Sequence, residues 1–362
     1  MKLWQIVVAL LLGVAYGFFQ PGRLEYALGY ATLYAFLPPL LFEAAWNLNY
    51  RAIRRQWIAI ATLAGPGVLI TAAIVAGALS VVRVPIGPAL LAGAILSATD
   101  PIAVVAVFRR LRVPTTLATI VECESLFNDA VAVALYRVVL TVLALGASGG
   151  TIALTVFGVV GGAAGGIALG IGLAFVVARL LRGSSGAAIQ IAATVLCAYG
   201  AYFAADALRL SGIFATIAFG IALRYYERAW ITLRIADDVD RFWDLAAVAA
   251  NALVFFMVGA ALQVGRVAHQ PVVAVACIVA VALARVAVAG LLLPGPYPRA
   301  WLDVVRVAGM RGGLSLALAL ALPAWVPYRE AIVDGTFAVA LATLFAGALA
   351  VARVVRRTER SI

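Results

Sequence analysis

Leu96-Ser97-Ala98-Thr99-Asp100-Pro101 stands in the middle of an otherwise apolar run over residues 88–108. Pro101 has no amide hydrogen and disfavours helical geometry in the residue before it. A helix through 88–108 therefore has to break near Thr99-Asp100. The break frees backbone carbonyls, exposes two half-helix ends and sets a carboxylate beside them, which is how discontinuous helices hold ions inside a membrane.

The rest of the chain supplies the membrane. Of 362 residues, 65% are hydrophobic and only 12% charged, against roughly 25% charged in soluble domains, so a water-soluble enzyme is excluded. Cutting where charge, Pro and Gly interrupt apolar runs predicts an all-α polytopic protein of about 12 spans: 3–20, 28–48, 57–82, 88–108, 115–142, 151–181, 187–208, 211–226, 243–264, 271–292, 300–322 and 335–353. At roughly 20 residues per crossing, no separate soluble domain fits in the remainder. The first run resembles a signal-peptide core behind Lys2, but no small-x-small cleavage site follows it, and it is read as a helix.

The net charge of +11 does not point to nucleic acid, because the basic residues are spread between apolar runs rather than gathered in a patch. They read as topology signals and lipid headgroup contacts. In the twelve-span arrangement eighteen Lys and Arg fall on one side, against five on the other (Arg23, Arg83, Arg209, Arg266 and Arg329). This asymmetry predicts that both termini are cytoplasmic. Cys123, Cys197 and Cys277 lie singly in apolar runs, so neither a disulfide framework nor a metal cluster is expected. His269, the single histidine, is expected in a solvated loop.

Charge inside a span costs about 2.5–3.5 kcal/mol on insertion scales, so what is kept there marks an ion path, a relay or a buried pair. The run 115–142 carries Glu122, Glu124, Ser125, Asn128 and Asp129 within eight residues. At 3.6 residues per turn Glu122, Ser125 and Asp129 share a face, with Glu124 and Asn128 on a neighbouring stripe. Carboxylate, hydroxyl and amide oxygens together suit a partly dehydrated hard cation, and Thr99 with the carbonyls of the broken span can complete the shell. Arg137, Arg285, Arg306 and Arg311 also lie within spans; Arg137 and Arg306 can snorkel. Arg311, in Gly309-Met310-Arg311-Gly312-Gly313, requires an acid, and Glu124 is the expected partner. Glu43, in Leu37-Pro38-Pro39-Leu40-Leu41-Phe42-Glu43, divides evenly between a structural or gating role and ion binding. Gly158, Gly162, Gly166 and Gly170 at four-residue spacing read as close helix packing.

Two interrupted spans, the fourth and the eleventh, occupy corresponding places if spans 1–5 and 8–12 are inverted repeats, which is the signature of a secondary transporter's substrate site. Taken in order with Glu122-Cys123-Glu124-Ser125-Leu126-Phe127-Asn128-Asp129 and Ser211-Gly212-Ile213, these segments resemble the monovalent cation:proton antiporters of the sodium/proton exchanger family, in its bacterial branch. The resemblance implies crossed broken helices and location in the bacterial cytoplasmic membrane. It implies a homodimer with a moving core (about 57–142 and 271–353), a scaffold (about 1–48 and 187–264) and a linking helix at 151–181. It also implies Asp129 as alternating carrier of Na+ and H+, Thr99 and Ser125 as further ligands, Asn128 as the mark of an Asn-Asp, usually electroneutral type, Asp100 among the crossed half-helices, and Glu124 paired with Arg311. Many relatives have thirteen spans, so a further N-terminal helix is expected to be missing, and Cys123 stands where glycine is common.

The mechanism then follows from competition: a proton or a cation can neutralise Asp129, but not both, and the empty charged site crosses the barrier poorly. Exchange of one Na+ or Li+ for one H+ moves no net charge, and activity falls at both pH extremes. No cofactor is needed. Potassium exchange through the same residues, a cation-coupled solute symporter and a non-transporting sensor are the alternatives, the last disfavoured by the lack of an output domain.

Overall fold

The structure, a computed structural model, describes residues 3–19, 32–111, 113–183, 186–230, 236–261, 270–292, 295 and 297–358. Its helices are α1 (Leu3–Phe19), α2 (Leu37–Asn47), α3 (Tyr50–Ala64), α4 (Pro66–Val81), α5 (Ile86–Ser97), α6 (Ile102–Leu111), α7 (Thr115–Leu145) and α8 (Gly149–Leu180). They continue as α9 (Ala187–Ala207), α10 (Gly212–Trp230), α11 (Ala236–Ala261), α12 (Pro271–Gly290), α13 (Arg299–Val307), α14 (Gly313–Leu320), α15 (Arg329–Ala342) and α16 (Ala348–Thr358). Every span expected from hydropathy contains helix. Among the described residues, seven helical runs are long and apolar enough to cross a membrane. His269, expected in a loop, lies outside the described residues.

The differences from the sequence expectation have local causes. The third span starts earlier, at Tyr50, with Arg51, Arg54 and Arg55 exposed on its first turns, where long basic side chains reach away from apolar surroundings. It is divided at Gly65-Pro66, since Pro66 cannot donate to the helix behind it but suits the first turn of the next. The last span begins at Arg329 and is interrupted by a π turn at Thr343–Gly347, between α15 and α16.

The chain divides into two compact units. The first comprises residues 1–33, 51–140 and 252–362 and holds both broken spans. Within it, α1 lies against the end of α11 with almost no space between backbones: a Cβ on Gly13 or Gly17 would overlap the backbone of Phe256 or Ala260, and one on Gly259 that of Leu10. This close approach joins α1 to the end of α11, two segments that the resemblance placed together. Gly93 gives α5 the same backbone contact with Ala72 of α4.

The second unit comprises residues 34–50 and 141–251. Its glycine stripe works as expected at three of four positions: Gly162, Gly166 and Gly170 bring α8 onto the start and first turns of α10, while Gly158 faces open space. Its core is aromatic, with the Phe42 and Trp243 rings 4.4 Å apart between centroids. Arg224 lies 4.6 Å from the centroid of Trp46 and pairs with Glu227 and Asp240 at 3.0 Å each. The Trp46 indole donates to Asp240 at 2.6 Å, so each charge in this cluster has an opposite charge or a dipole beside it.

Candidate functional site

The site is built where the two breaks of the first unit meet. Helix α5 ends at Ser97 and α6 starts at Ile102, so residues 98–101 are non-helical, as Pro101 requires. Helix α13 ends at Val307 and α14 starts at Gly313. The two breaks bond directly: the Asp100 amide donates to the Met310 carbonyl at 2.8 Å.

A helix break leaves carbonyls without partners, and inside a membrane each must find one. Four consecutive carbonyls of the first break each accept from a different side chain. Arg311 Nε donates to Leu96 O at 2.7 Å, Asn128 Nδ2 to Ser97 O at 2.9 Å, Ser315 Oγ to Ala98 O at 3.2 Å, and Ser125 Oγ to Thr99 O at 2.6 Å. These carbonyls, expected from sequence as cation ligands, each accept one bond that anchors α7, Arg311 or α14 to the break, and each keeps a second lone pair.

Asp100 is committed in the same way. Its carboxylate accepts from the Ile102 amide at 2.9 Å and from the Gly313 backbone, so the N-termini of α6 and α14 converge on one negative charge, as their dipoles favour. Gly312 is what permits it, because a Cβ there would overlap the Asp100 side chain.

What remains uncommitted is a small set of oxygens on α7 and at Thr99. Asn128 Nδ2 also donates to Thr99 Oγ1 at 3.3 Å, which turns the amide oxygen away; Asn128 Oδ1 is buried and has no hydrogen-bond partner. On the next residue, Asp129 Oδ1 is likewise buried and without one. Thr99 donates to Ser125 Oγ at 3.3 Å and Ser125 donates onward to Thr99 O, so both hydroxyl protons are occupied and a lone pair on each oxygen stays open. Thr99, Ser125 and Asn128 are all buried, and Asp129 is half-buried. The charged neighbours of Asp129 are Asp100, Glu124 and Arg311. Asn128 Oδ1 and Asp129 Oδ1 lack a donor, and a hard monovalent cation or a proton can take that place.

The buried ion pair differs from the expected one. Glu124 Oε1 bonds Arg285 Nη1 of α12 at 2.7 Å, with side chains 2% and 5% exposed. Arg285 Nη2 donates to Val305 O at 2.7 Å, and its shaft passes Gly309, where a Cβ would collide with it. Arg311 instead spends its donors on carbonyls: Nε on Leu96 O and Nη1 on Gly309 O at 2.6 Å. Arg285 has no role in the sequence reading; the signal is an arginine deep in the run 271–292 with no explanation, while Glu124 is assigned to Arg311. Ser315 and Thr343, both polar in apolar runs, were also passed over.

Glu122 is half-buried on α7, nearly two turns before Asp129. Glu43 belongs to the second unit, where it accepts from Asn47 at 2.7 Å. The three cysteines are free thiols, Cys123 and Cys277 buried.

Comparison with known proteins bears on the same architecture. Residues 1–357 match the family described as "Sodium/hydrogen exchanger, transmembrane". The chain is 32% identical over 322 residues to the low-affinity Na+/H+ antiporter NhaS1 of Synechocystis sp., covering 85% of this chain and 61% of that protein. It is 32% identical over 348 residues to the Na+/H+ antiporter NhaP of Pseudomonas aeruginosa, covering 89% and 80%. The chain thus spans about three fifths of the length of several curated relatives it matches. The sodium proton antiporter MjNhaP1 of Methanocaldococcus jannaschii, solved at pH 8, superposes with a TM-score of 0.80 at 21% identity, over 97% of this chain and 92% of that one. The all-helical polytopic membrane fold is therefore shared with that structure, as the sequence led one to expect, and the chain belongs to the sodium/hydrogen exchanger family.

Proposed function

We propose that the protein exchanges Na+ or Li+ for H+ across the membrane, one for one, with Asp129 as the group that alternately holds cation and proton. One observation carries the reading: Asp129 Oδ1 and Asn128 Oδ1, on successive residues, are buried acceptors with no donor, beside hydroxyl oxygens of Thr99 and Ser125 whose protons are already engaged. Four oxygens and one formal charge suit a monovalent cation stripped of part of its water. Protonation of the same carboxylate discharges the site equally well, which is why the two loads exclude each other. Asp100 keeps the half-helix ends together and Glu124 neutralises Arg285, so of these three carboxylates Asp129 is the one with a buried oxygen left to alternate.

The relatives named as Na+/H+ antiporters support sodium as the cation. On this reading the broken-helix unit is the carrier, the protein works as a homodimer in a bacterial cytoplasmic membrane, and both termini face the cytoplasm.

The test is dequenching of a pH-sensitive dye in proteoliposomes after addition of NaCl, LiCl or KCl. Proton movement driven by Na+ and lost in Asp129→Asn is the expected result, and the ranking of the salts decides sodium against potassium. Correctly inserted protein that responds to none of the three would sink the antiport reading.

A further inference from the structure

The break between α13 and α14 frees amides as well as carbonyls, and the helix that follows takes up its two ends. At one end the Arg311 backbone N–H donates to Thr343 Oγ1 at 3.0 Å. The Thr343 hydroxyl proton goes back to Ala340 O at 3.3 Å, so its oxygen acts towards Arg311 purely as an acceptor. Thr343 is also the first residue of the π turn Thr343–Gly347, an irregularity that in helices clusters at functional sites. Gly347 closes that turn with no side chain, and the Met310 side chain lies against it. Met310 is the residue whose carbonyl accepts the Asp100 amide.

At the other end of α14, Arg329 donates from Nε to Leu322 O at 2.9 Å and from Nη2 to Leu320 O at 3.2 Å. Both carbonyls lie at the C-terminal end of the half-helix, where a cation complements the dipole. Thr343 and Arg329 bound the same helix: Arg329 opens α15 and Thr343 follows its last residue. Helix α15 thus runs beside α14 and holds it at both ends.

We infer that Thr343 and Arg329 are positioning residues for the cation site, with α15 and its π turn acting as a strut that sets where α14 places Gly313 and Ser315 against Asp100 and Ala98 of the first break. The inference rests on the antiport reading. Neither residue touches the cation. Thr343 acts through the Arg311 backbone, whose side chain holds Leu96 O, while Gly347 of the same π turn packs against Met310, whose carbonyl holds Asp100; Arg329 acts through the far end of α14. A shift of the strut therefore reaches the Thr99 and Asn128 oxygens and alters affinity for the cation before it alters the rate at saturation.

The experiment measures sodium-driven proton exchange in proteoliposomes for wild type, Asp129→Asn, Thr343→Val, Thr343→Ser and Arg329→Gln, with apparent KM and maximal rate taken across a pH series. Thr343→Val keeps the shape and removes the acceptor, and is expected to raise the apparent KM for Na+ by about tenfold, the scale of one buried hydrogen bond left unmade, and to move the pH profile. Thr343→Ser restores the acceptor and is expected to restore both. Arg329→Gln is expected to raise KM in the same direction; if Thr343→Val fails to insert or fold, Thr343→Ser and Arg329→Gln carry the test. Unchanged KM and pH profile in Thr343→Val and Arg329→Gln, with wild-type exchange intact and abolished in Asp129→Asn, would overturn this inference alone. Equal impairment of Thr343→Val and Thr343→Ser, or loss of maximal rate at constant KM, would overturn it too. No sodium-driven exchange in wild type overturns the antiport reading, and this inference with it.

Discussion

Glu124 and Arg285, 161 positions apart in the chain, form a 2.7 Å ion pair buried inside the unit that carries the broken helices. The pair joins α7, which bears the candidate cation site, to α12. Arg285 goes on to Val305 O at the end of α13, so the pair ties three segments together and releases Arg311 for the carbonyls of the two breaks. A buried pair of this kind holds position more than it adds stability, because both charges gave up water to form it.

Removing one member leaves the other charge buried and unmatched. Glu124→Gln alone and Arg285→Gln alone are each expected to destabilise the protein by about 3–5 kcal/mol, while the double variant loses less than the sum. Thermal unfolding of the four proteins in the same detergent checks this, and additive losses would contradict the pairing.

On the proposed reading, competition between cation and proton at Asp129 fixes a sign. As pH falls, protons fill the carboxylate and the apparent KM for Na+ rises, approaching about tenfold per pH unit if one proton is displaced per cation. Maximal rate at saturating Na+ then falls at alkaline pH, where the returning proton becomes scarce. Initial rates over a grid of pH and NaCl measure both; a KM independent of pH would separate the proton site from Asp129.

Asn128 is expected to resist replacement by a carboxylate of the same shape. Asn128→Asp removes the Nδ2 donor from Ser97 O and Thr99 Oγ1 and sets a second negative charge beside Asp129. The lost donor costs about 1–3 kcal/mol of stability, and exchange weakens. Melting temperature and Na+-dependent dequenching in one preparation test it, with Asn128→Ala separating the missing donor from the added charge.

Gly312→Ala asks whether the crossing of the breaks has any slack. The added methyl would overlap the Asp100 side chain and separate that carboxylate from the amides of α14. Exchange is expected to drop at least tenfold, the effect typical of small displacements at a preorganised site. Gly158→Ala, whose Cβ faces open space, is expected to behave as wild type. Rates for the two variants at matched protein content decide.

Much of this protein was readable along the chain. Hydropathy placed helix within every expected span, because the free energy of burying apolar side chains depends on local composition, although seven helical runs among the described residues are long and apolar enough to cross a membrane. Pro101 located the first break and the glycines around Arg311 the second, since a missing amide hydrogen or a missing Cβ acts on its own turn of helix. That Ser125, Asn128 and Asp129 lie close together was legible for the same reason, all three being spaced along a single helix, and the hydrogen bonds of Thr99 bring it beside them. The tertiary structure alone decided partnership. Glu124 had two chemically equivalent arginines to choose from, and only the distance between α7 and α12 selects Arg285. Which side chains from α7 and from the second broken span bond the break carbonyls was likewise set only in space. Glu43, acidic and within a span like the others, belongs to the other unit. Hydrogen bonds and ion pairs act over about 3 Å, so which of two like groups makes one is set by where distant segments are brought in space, and no local pattern encodes that.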